Sequence, residues 1–334
     1  MKKYTAFIMS MILMATATGC SAGAKGASAA GNPLGSDKIK VVTTIFPEYD
    51  WAKQVVGDDS ENVDLTLLLD NGTDLHSYQP TTEDMLKISE ANLFIYVGGE
   101  SDTWVDDALK NATNKDMKVI NLMETLGDDI KEEEVVEGME AEEEEEEEGE
   151  GHDEVEYDEH VWLSLENAET IVNEIAKNLA EVDKENAEKY ENNAETYNEK
   201  LDTLAEEYKS AAQASQIKTV LFGDRFPFRY LTDELGLKYY AAFVGCSAET
   251  EASFETITFL ANKVDELSLP AVLTIENSDQ KIAKTIVENT KGKNQKILTL
   301  DSMQSVKRAD IDEGKTYLSI MESNLEVLEA ALGN

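Results

Sequence analysis

Cysteine, histidine and positive charge are all scarce in this chain of 334 residues. Its two cysteines, Cys20 and Cys246, allow at most one intrachain disulfide, so the core has to hold by packing rather than by staples. There are 29 lysines and arginines against 69 aspartates and glutamates, a formal charge of −40. Such a chain repels nucleic acid and anionic lipid headgroups, and its natural small partners are cations. Beyond the N-terminus no stretch approaches the roughly 20 apolar residues of a transmembrane helix. A His-Glu-X-X-His helix, the common signature of a zinc hydrolase, is also missing.

The N-terminus reads as a leader. Lys2 and Lys3 are followed by a short apolar stretch, Ala6 to Ala17, and then by Ala17-Thr18-Gly19-Cys20. This is similar to a bacterial lipoprotein signal, in which Cys20 becomes the lipidated first residue. The alternative is an ordinary secretory peptide cut near Ala22 or Ala24. Residues 21–37, rich in Ala, Gly and Ser, read as a flexible tether. The expected mature protein is extracytoplasmic, tied to the cell membrane through its anchor alone. With lipid on Cys20, Cys246 has no partner. Loss of Lys2 and Lys3 takes the charge from −40 to −42.

Eight short runs rich in β-branched and aromatic residues alternate with helical patterns. They are Ile39–Phe46, Val63–Leu69, Leu93–Val97 and Lys118–Leu122, then Lys218–Phe222, Leu237–Phe243, Ala271–Ile275 and Lys296–Leu300. Most are apolar throughout, as expected of parallel strands covered on both faces. Thr81/Thr82 and Ser101/Asp102 are cap signals for the helices that follow them. Four strand–helix units and then four more predict an α/β protein of two (β/α)4-type lobes, spanning 38–165 and 215–334. Residues 166–214 form a helical segment between them, with Asp183 dividing a shorter helix from a longer one. In the longer one Tyr190, Tyr197, Leu201, Leu204 and Tyr208 make one apolar stripe. At about 1.5 Å per residue that helix is too long for one lobe, so it reads as a strut between both; a core helix or a dimerising coiled coil is the alternative. Residues 128–158 are so densely acidic, including the run Glu142 to Glu148, that they are expected to form a mobile loop inserted in the first lobe.

Two of the three histidines sit beside acids and near strand ends. His76 lies in Asp74-Leu75-His76-Ser77-Tyr78-Gln79-Pro80, and His160 in Tyr157-Asp158-Glu159-His160-Val161-Trp162. Neutral imidazole mixed with carboxylate is the donor set of zinc and manganese sites, whereas a surface hydrogen bond is the ordinary role of one His beside one Asp. Asp224 and Arg225 follow one strand of the second lobe, and Glu276 and Asp279 follow another. Ligands of open α/β sheets gather beyond the strands' carboxyl ends, so a metal site in the cleft between the lobes is expected. Gly98-Gly99 lacks the Lys-Ser/Thr of a phosphate loop and reads as a turn. Cys246 is either a soft ligand or a small buried residue, and the sequence favours the buried residue.

Taken together, Thr43-Thr44-Ile45-Phe46-Pro47, His76-Ser77-Tyr78-Gln79-Pro80-Thr81, the Ala91–Gly99 run, Glu159-His160-Val161-Trp162-Leu163-Ser164 and Ile275-Glu276-Asn277-Ser278-Asp279 resemble the metal-binding solute receptors of ABC importers. The resembling region runs from Lys38 to Leu332. The resemblance implies two α/β lobes bridged by one long helix, and a charged loop before the second histidine ligand. It further implies a monomer that captures Zn²⁺, or alternatively Mn²⁺, as transported ligand and hands it to an ABC permease without covalent chemistry. His76 and His160 match the family's first two ligands and Asp279 its last. At the third position this chain has Arg225, which cannot bind a cation. Asp224, one residue earlier, substitutes after a backbone shift; otherwise Arg225 pairs with Asp224 or Asp279, and water or an acidic-loop residue completes the site. The rival readings are a secreted zinc-dependent hydrolase and an adhesin whose acidic loop binds host surfaces or Ca²⁺.

Overall fold

A computed structural model describes residues 38–57, 61–140, 156–247 and 251–334. The leader with Cys20, the tether and the centre of the acidic segment, 141–155, lie outside the described residues.

All eight expected strands form. β1 (Ile39–Thr43), β2 (Val63–Leu67), β3 (Leu93–Tyr96) and β4 (Lys118–Asn121) build one parallel sheet in the order β2-β1-β3-β4. β5 (Thr219–Phe226), β6 (Lys238–Val244), β7 (Ala271–Ile275) and β8 (Lys296–Leu300) build a second in the order β6-β5-β7-β8. Helices α1 (Phe46–Val56), α2 (Thr82–Ser89), α3 (Val105–Lys110) and α4 (Leu122–Leu126) belong to the first sheet's half of the chain. α5 (Leu165–Val182) and α6 (Ala187–Ala214) follow, then α7 (Arg229–Glu234), α8 (Phe254–Leu267), α9 (Lys281–Asn289), α10 (Arg308–Asp312) and α11 (Tyr317–Ala331). Helices shield the central strands, so β7 is buried at every position and needs an unbroken apolar run rather than an alternating one.

Among the boundaries that differ from the sequence reading, three bear on the site or its neighbourhood. β1 stops at Thr43 instead of running to Phe46, because Pro47 opens a helix more readily than it continues a ladder. The Glu48 carboxylate reaches back to the N–H groups of Thr44 (2.8 Å) and Ile45 (3.2 Å) and holds that start. β5 continues past Phe222 to Phe226 through an irregularity in its pairing with β6, so Asp224 and Arg225 lie inside the strand. The Ser101/Asp102 signal produces a short 3-10 turn, Glu100–Asp102, and α3 starts only at Val105.

Asp183 ends α5. The 28 residues of α6 extend about 42 Å, with the Tyr190, Tyr197, Leu201, Leu204 and Tyr208 stripe buried. α6 packs on α1 and α5 toward the first sheet and on α11 toward the second. One apolar core runs through both halves. Buried polar bonds cross it as well: Trp162 Nε1 donates to the Ser302 carbonyl (2.8 Å), and the Tyr317 hydroxyl to the Trp162 carbonyl (2.8 Å). Among the described residues no helix is long and apolar enough to cross a membrane.

The acidic segment is not free along its whole length. Residues 131–140 form a strap against the second lobe. The Lys131 N–H donates to the Tyr230 hydroxyl (3.0 Å), Arg229 donates to the Glu132 carbonyl, and the Glu140 N–H donates to the Ala242 carbonyl (2.9 Å). Side chains join the backbone in this docking: Tyr239 donates to the Glu134 carboxylate (3.2 Å), Arg229 pairs with the same carboxylate (3.5 Å), and Lys131 pairs with Asp233 (3.2 Å). The strap's carboxylates take part as well, Glu133 accepting the Cys246 N–H (3.4 Å) while burial holds its pKa above the ordinary value.

Candidate metal centre

The two histidines are fixed by their own local turns. The Asp74 carboxylate accepts the His76 N–H (3.1 Å) and caps the 3-10 turn Leu75–Ser77, with Leu75 buried beneath it. Asp158 Oδ1 accepts both the N–H and the Nδ1 of His160, each at 2.8 Å. The next three residues, Val161-Trp162-Leu163, are fully buried and anchor the turn. His76 Nδ1 contacts Ser101 Oγ at 2.8 Å and lies 3.5 Å from a Glu159 carboxylate oxygen. Both rings thus have Nδ1 engaged from behind, which directs the two Nε2 atoms at each other, 3.2 Å apart. Acid behind imidazole is the usual arrangement for orienting a metal-binding histidine.

Burial of these groups is uneven in its effect. Burial, and then the neighbouring His160, hold the His76 pKa below the ordinary imidazole value. Burial also disfavours charge on His160, but Asp158 and then Glu159 outweigh it and hold that pKa above the ordinary value. Burial drives the Glu159 carboxyl upward, and one of its buried oxygens has no hydrogen-bond partner. Acidic groups thus stand beside two converging nitrogen atoms.

The second lobe approaches this pair through the end of β6. A methyl built on Gly245 would stand 2.9 Å from Cε1 and 3.0 Å from Nδ1 of His160, so only glycine lets the chain pass there. The next residue is Cys246. Among the described residues His76, His160 and Cys246 form a cluster whose donor atoms all lie within 4.8 Å of one another. The sequence reading favoured Cys246 as a small buried residue. The close approach at Gly245, visible only in three dimensions, brings it to the histidines.

The carboxylates expected from the second lobe lie elsewhere. Asp224 and Asp279 line a cavity of about 520 Å³ together with Asp74, Arg225, Ser77 and Ser247, but neither belongs to the His76–His160–Cys246 cluster. Asp224 accepts the N–H of Arg225 (2.9 Å) and of Ile275 (3.4 Å), which ties β5 to β7. Asp279 is more than half exposed and is paired with Lys281 at 2.5 Å. Its place is explained by the tight turn after β7, where Asn277 and Gln280 take positive φ. Glu276 in the same turn is spent on Ser302 and Gln304.

Arg225 pairs with neither of the partners expected for it. Its guanidinium bonds Asp74 at 2.6 Å and the Ser247 carbonyl at 3.4 Å. Burial pushes the Asp74 carboxyl up, and Arg225 more than offsets this, holding it below the usual carboxylate range. Gly98 and Gly99 both have positive φ and form a turn after β3, as expected, with Gly99 packed against Glu159.

Comparison with known proteins places the chain in a family. Residues 41–331 match the family model described as zinc-uptake complex component A, periplasmic (ZnuA). The zinc-binding protein AdcA of Streptococcus pyogenes serotype M3 is 31% identical over 301 residues, covering 88% of this chain but 56% of that protein. The chain therefore spans about half the length of such curated relatives. The high-affinity zinc uptake system protein ZnuA of Bacillus subtilis is 29% identical over 296 residues, covering 89% of this chain and 88% of that one. Among solved structures, the Zn(II)-bound ZnuA-like domain of Streptococcus pneumoniae AdcA superposes with a TM-score of 0.68 at 28% identity, covering 89% of this chain and all of that one. The family-model match over residues 41–331 leads to one assignment: the chain belongs to the ZnuA family of zinc-uptake components.

Proposed function

We propose that the protein is an extracytoplasmic receptor that captures Zn²⁺ through His76 and His160 and delivers it to an ABC permease. One observation carries this reading. A tetrahedral zinc with Zn–N bonds of about 2.0–2.1 Å spans two nitrogens roughly 3.3 Å apart, and the two Nε2 atoms stand 3.2 Å apart with both Nδ1 atoms held from behind. Zinc is the cargo and no bond of a substrate is broken. A hydrolase reading finds no support in the histidine pair, whose members come from loops 84 residues apart rather than from one helix. Anchoring through Cys20 and association with a permease as a monomer belong to the same proposal, as does the division into lobes at 38–165 and 215–334.

Isothermal titration with Zn²⁺, followed by competition with Mn²⁺, tests it. The expected result is one tight zinc per chain that manganese does not displace. Preferential displacement by manganese would replace zinc as the cargo, and absence of tight binding of either metal would remove the receptor reading. Fatty-acid labelling of the wild type but not of Cys20→Ala in a bacterial host would establish the anchor.

A further inference from the structure

We propose that Cys246 is the third protein donor to the metal, so that the site is His₂Cys and not histidine plus carboxylate. The inference rests on the receptor reading and deepens it. His76, His160 and Cys246 are the group of donors that the fold brings within 4.8 Å of one another among the described residues. A tetrahedral zinc with Zn–S about 2.3 Å and Zn–N about 2.0–2.1 Å places sulfur roughly 3.6 Å from each nitrogen. Set against the 4.8 Å limit on the present separations, the cluster needs to contract by roughly 1.2 Å at most.

Two further features act on the same loop. Gly245 removes the methyl that would keep the chain away from the His160 ring. Arg225, standing where the family resemblance places a ligand, ties the Ser247 carbonyl next to Cys246 to Asp74, the residue that caps the His76 turn. An arginine cannot coordinate a cation, but here its guanidinium clamps together the two loops that carry a sulfur and a nitrogen donor. Asp224 and Asp279, the oxygen donors expected from the second lobe, are occupied by backbone N–H groups and by Lys281. The thiol proton passes to solvent as the zinc–sulfur bond forms. Thiolate is a soft ligand that favours zinc over manganese. A three-donor set leaves the fourth tetrahedral position open, suited to an ion that has to be released.

X-ray absorption on the zinc-loaded wild-type protein decides the matter without a variant. One sulfur at about 2.3 Å beside nitrogen at about 2.0–2.1 Å is expected. Cys246→Ser should lose the sulfur shell, keep the imidazole signal and bind zinc at least about tenfold more weakly. Co²⁺ loading should show a thiolate charge-transfer band in the wild type that Cys246→Ser and Cys246→Ala both lack. A tightly bound zinc surrounded only by nitrogen and oxygen overturns the cysteine assignment and leaves the receptor reading standing. Failure of the wild type to bind zinc at all overturns both.

Discussion

The two sheets share one strand order, with the second strand at the edge, then the first, third and fourth, yet their strand ends meet the cleft differently. The first lobe presents His76 and His160 on short turns, each ring fixed from behind by Ser101 or Asp158 and each turn seated on buried apolar residues. The second lobe presents Asp224, Arg225, Cys246 and Asp279 on a bulged strand and two loops, and its charged groups are mostly spent on each other, on backbone or on the facing lobe. Equal topology fixes where side chains can gather, but not which of them are donors. In the first lobe the donors are preorganised. In the second lobe most of the polar groups have structural work, and one sulfur stands near the histidine pair.

Breaking the preorganised half should have the largest effect. His76→Ala and His160→Ala should each weaken zinc binding at least about 1,000-fold, about 4 kcal/mol, with the far-ultraviolet circular dichroism unchanged. Near-native affinity in a folded variant would sink the two-histidine site. A smaller loss should follow from removing what stands behind the ring. Asp158→Ala should cost about 10–100-fold in zinc affinity, because His160 keeps its nitrogen but loses the acceptor that orients it. Titration calorimetry giving an unchanged constant would mean that packing against Trp162 alone positions the imidazole.

Acidification sharpens the contrast further. Burial opposes charge on His160, yet Asp158 raises its pKa above the ordinary 6.5. A raised pKa means that protons compete for His160 from higher pH, so the histidine share of the loss in zinc affinity should set in as pH drops through that raised value. Affinity measured between about pH 8 and 5 should begin to decline above the ordinary imidazole value of about 6.5; a flat profile would point to oxygen donors alone. The smallest effects are expected in the second lobe's carboxylates. Asp224→Ala and Asp279→Ala should each change zinc affinity less than about threefold, under 1 kcal/mol. A tenfold loss in either would bring that carboxylate into the coordination sphere on metal binding and erase the asymmetry between the lobes.

How much of this was legible in advance varies with the residue. Ala271–Ile275 and Leu93–Val97 read as buried parallel strands because their composition leaves them no other way to hide both faces. Asp183 was a readable helix end, and the tyrosine–leucine stripe of α6 showed which face is covered. His76 and His160 stood out because so few histidines occur and both neighbour acids. By contrast, Glu140 and Phe243 pair although about 100 positions separate them, and no local pattern in an acidic run announces such docking. Arg225 was recognisable as a departure from the family's pattern, but its actual partner, Asp74, lies 151 positions away.

The sequence alone determined the periodicities, and with them the strands, the long helix and the two α/β halves, because burying apolar side chains is a local constraint repeated along the chain. It also determined that imidazole and carboxylate were the groups available for a cation. Only the tertiary structure decided that the two Nε2 atoms converge, that Gly245 lets the second lobe close on His160, and that Cys246 rather than Asp224 or Asp279 arrives beside them. The reason is geometric. A metal site is defined by separations of a few ångströms between atoms remote in the chain, and such separations are set by the packing of whole lobes rather than by any run of neighbouring residues.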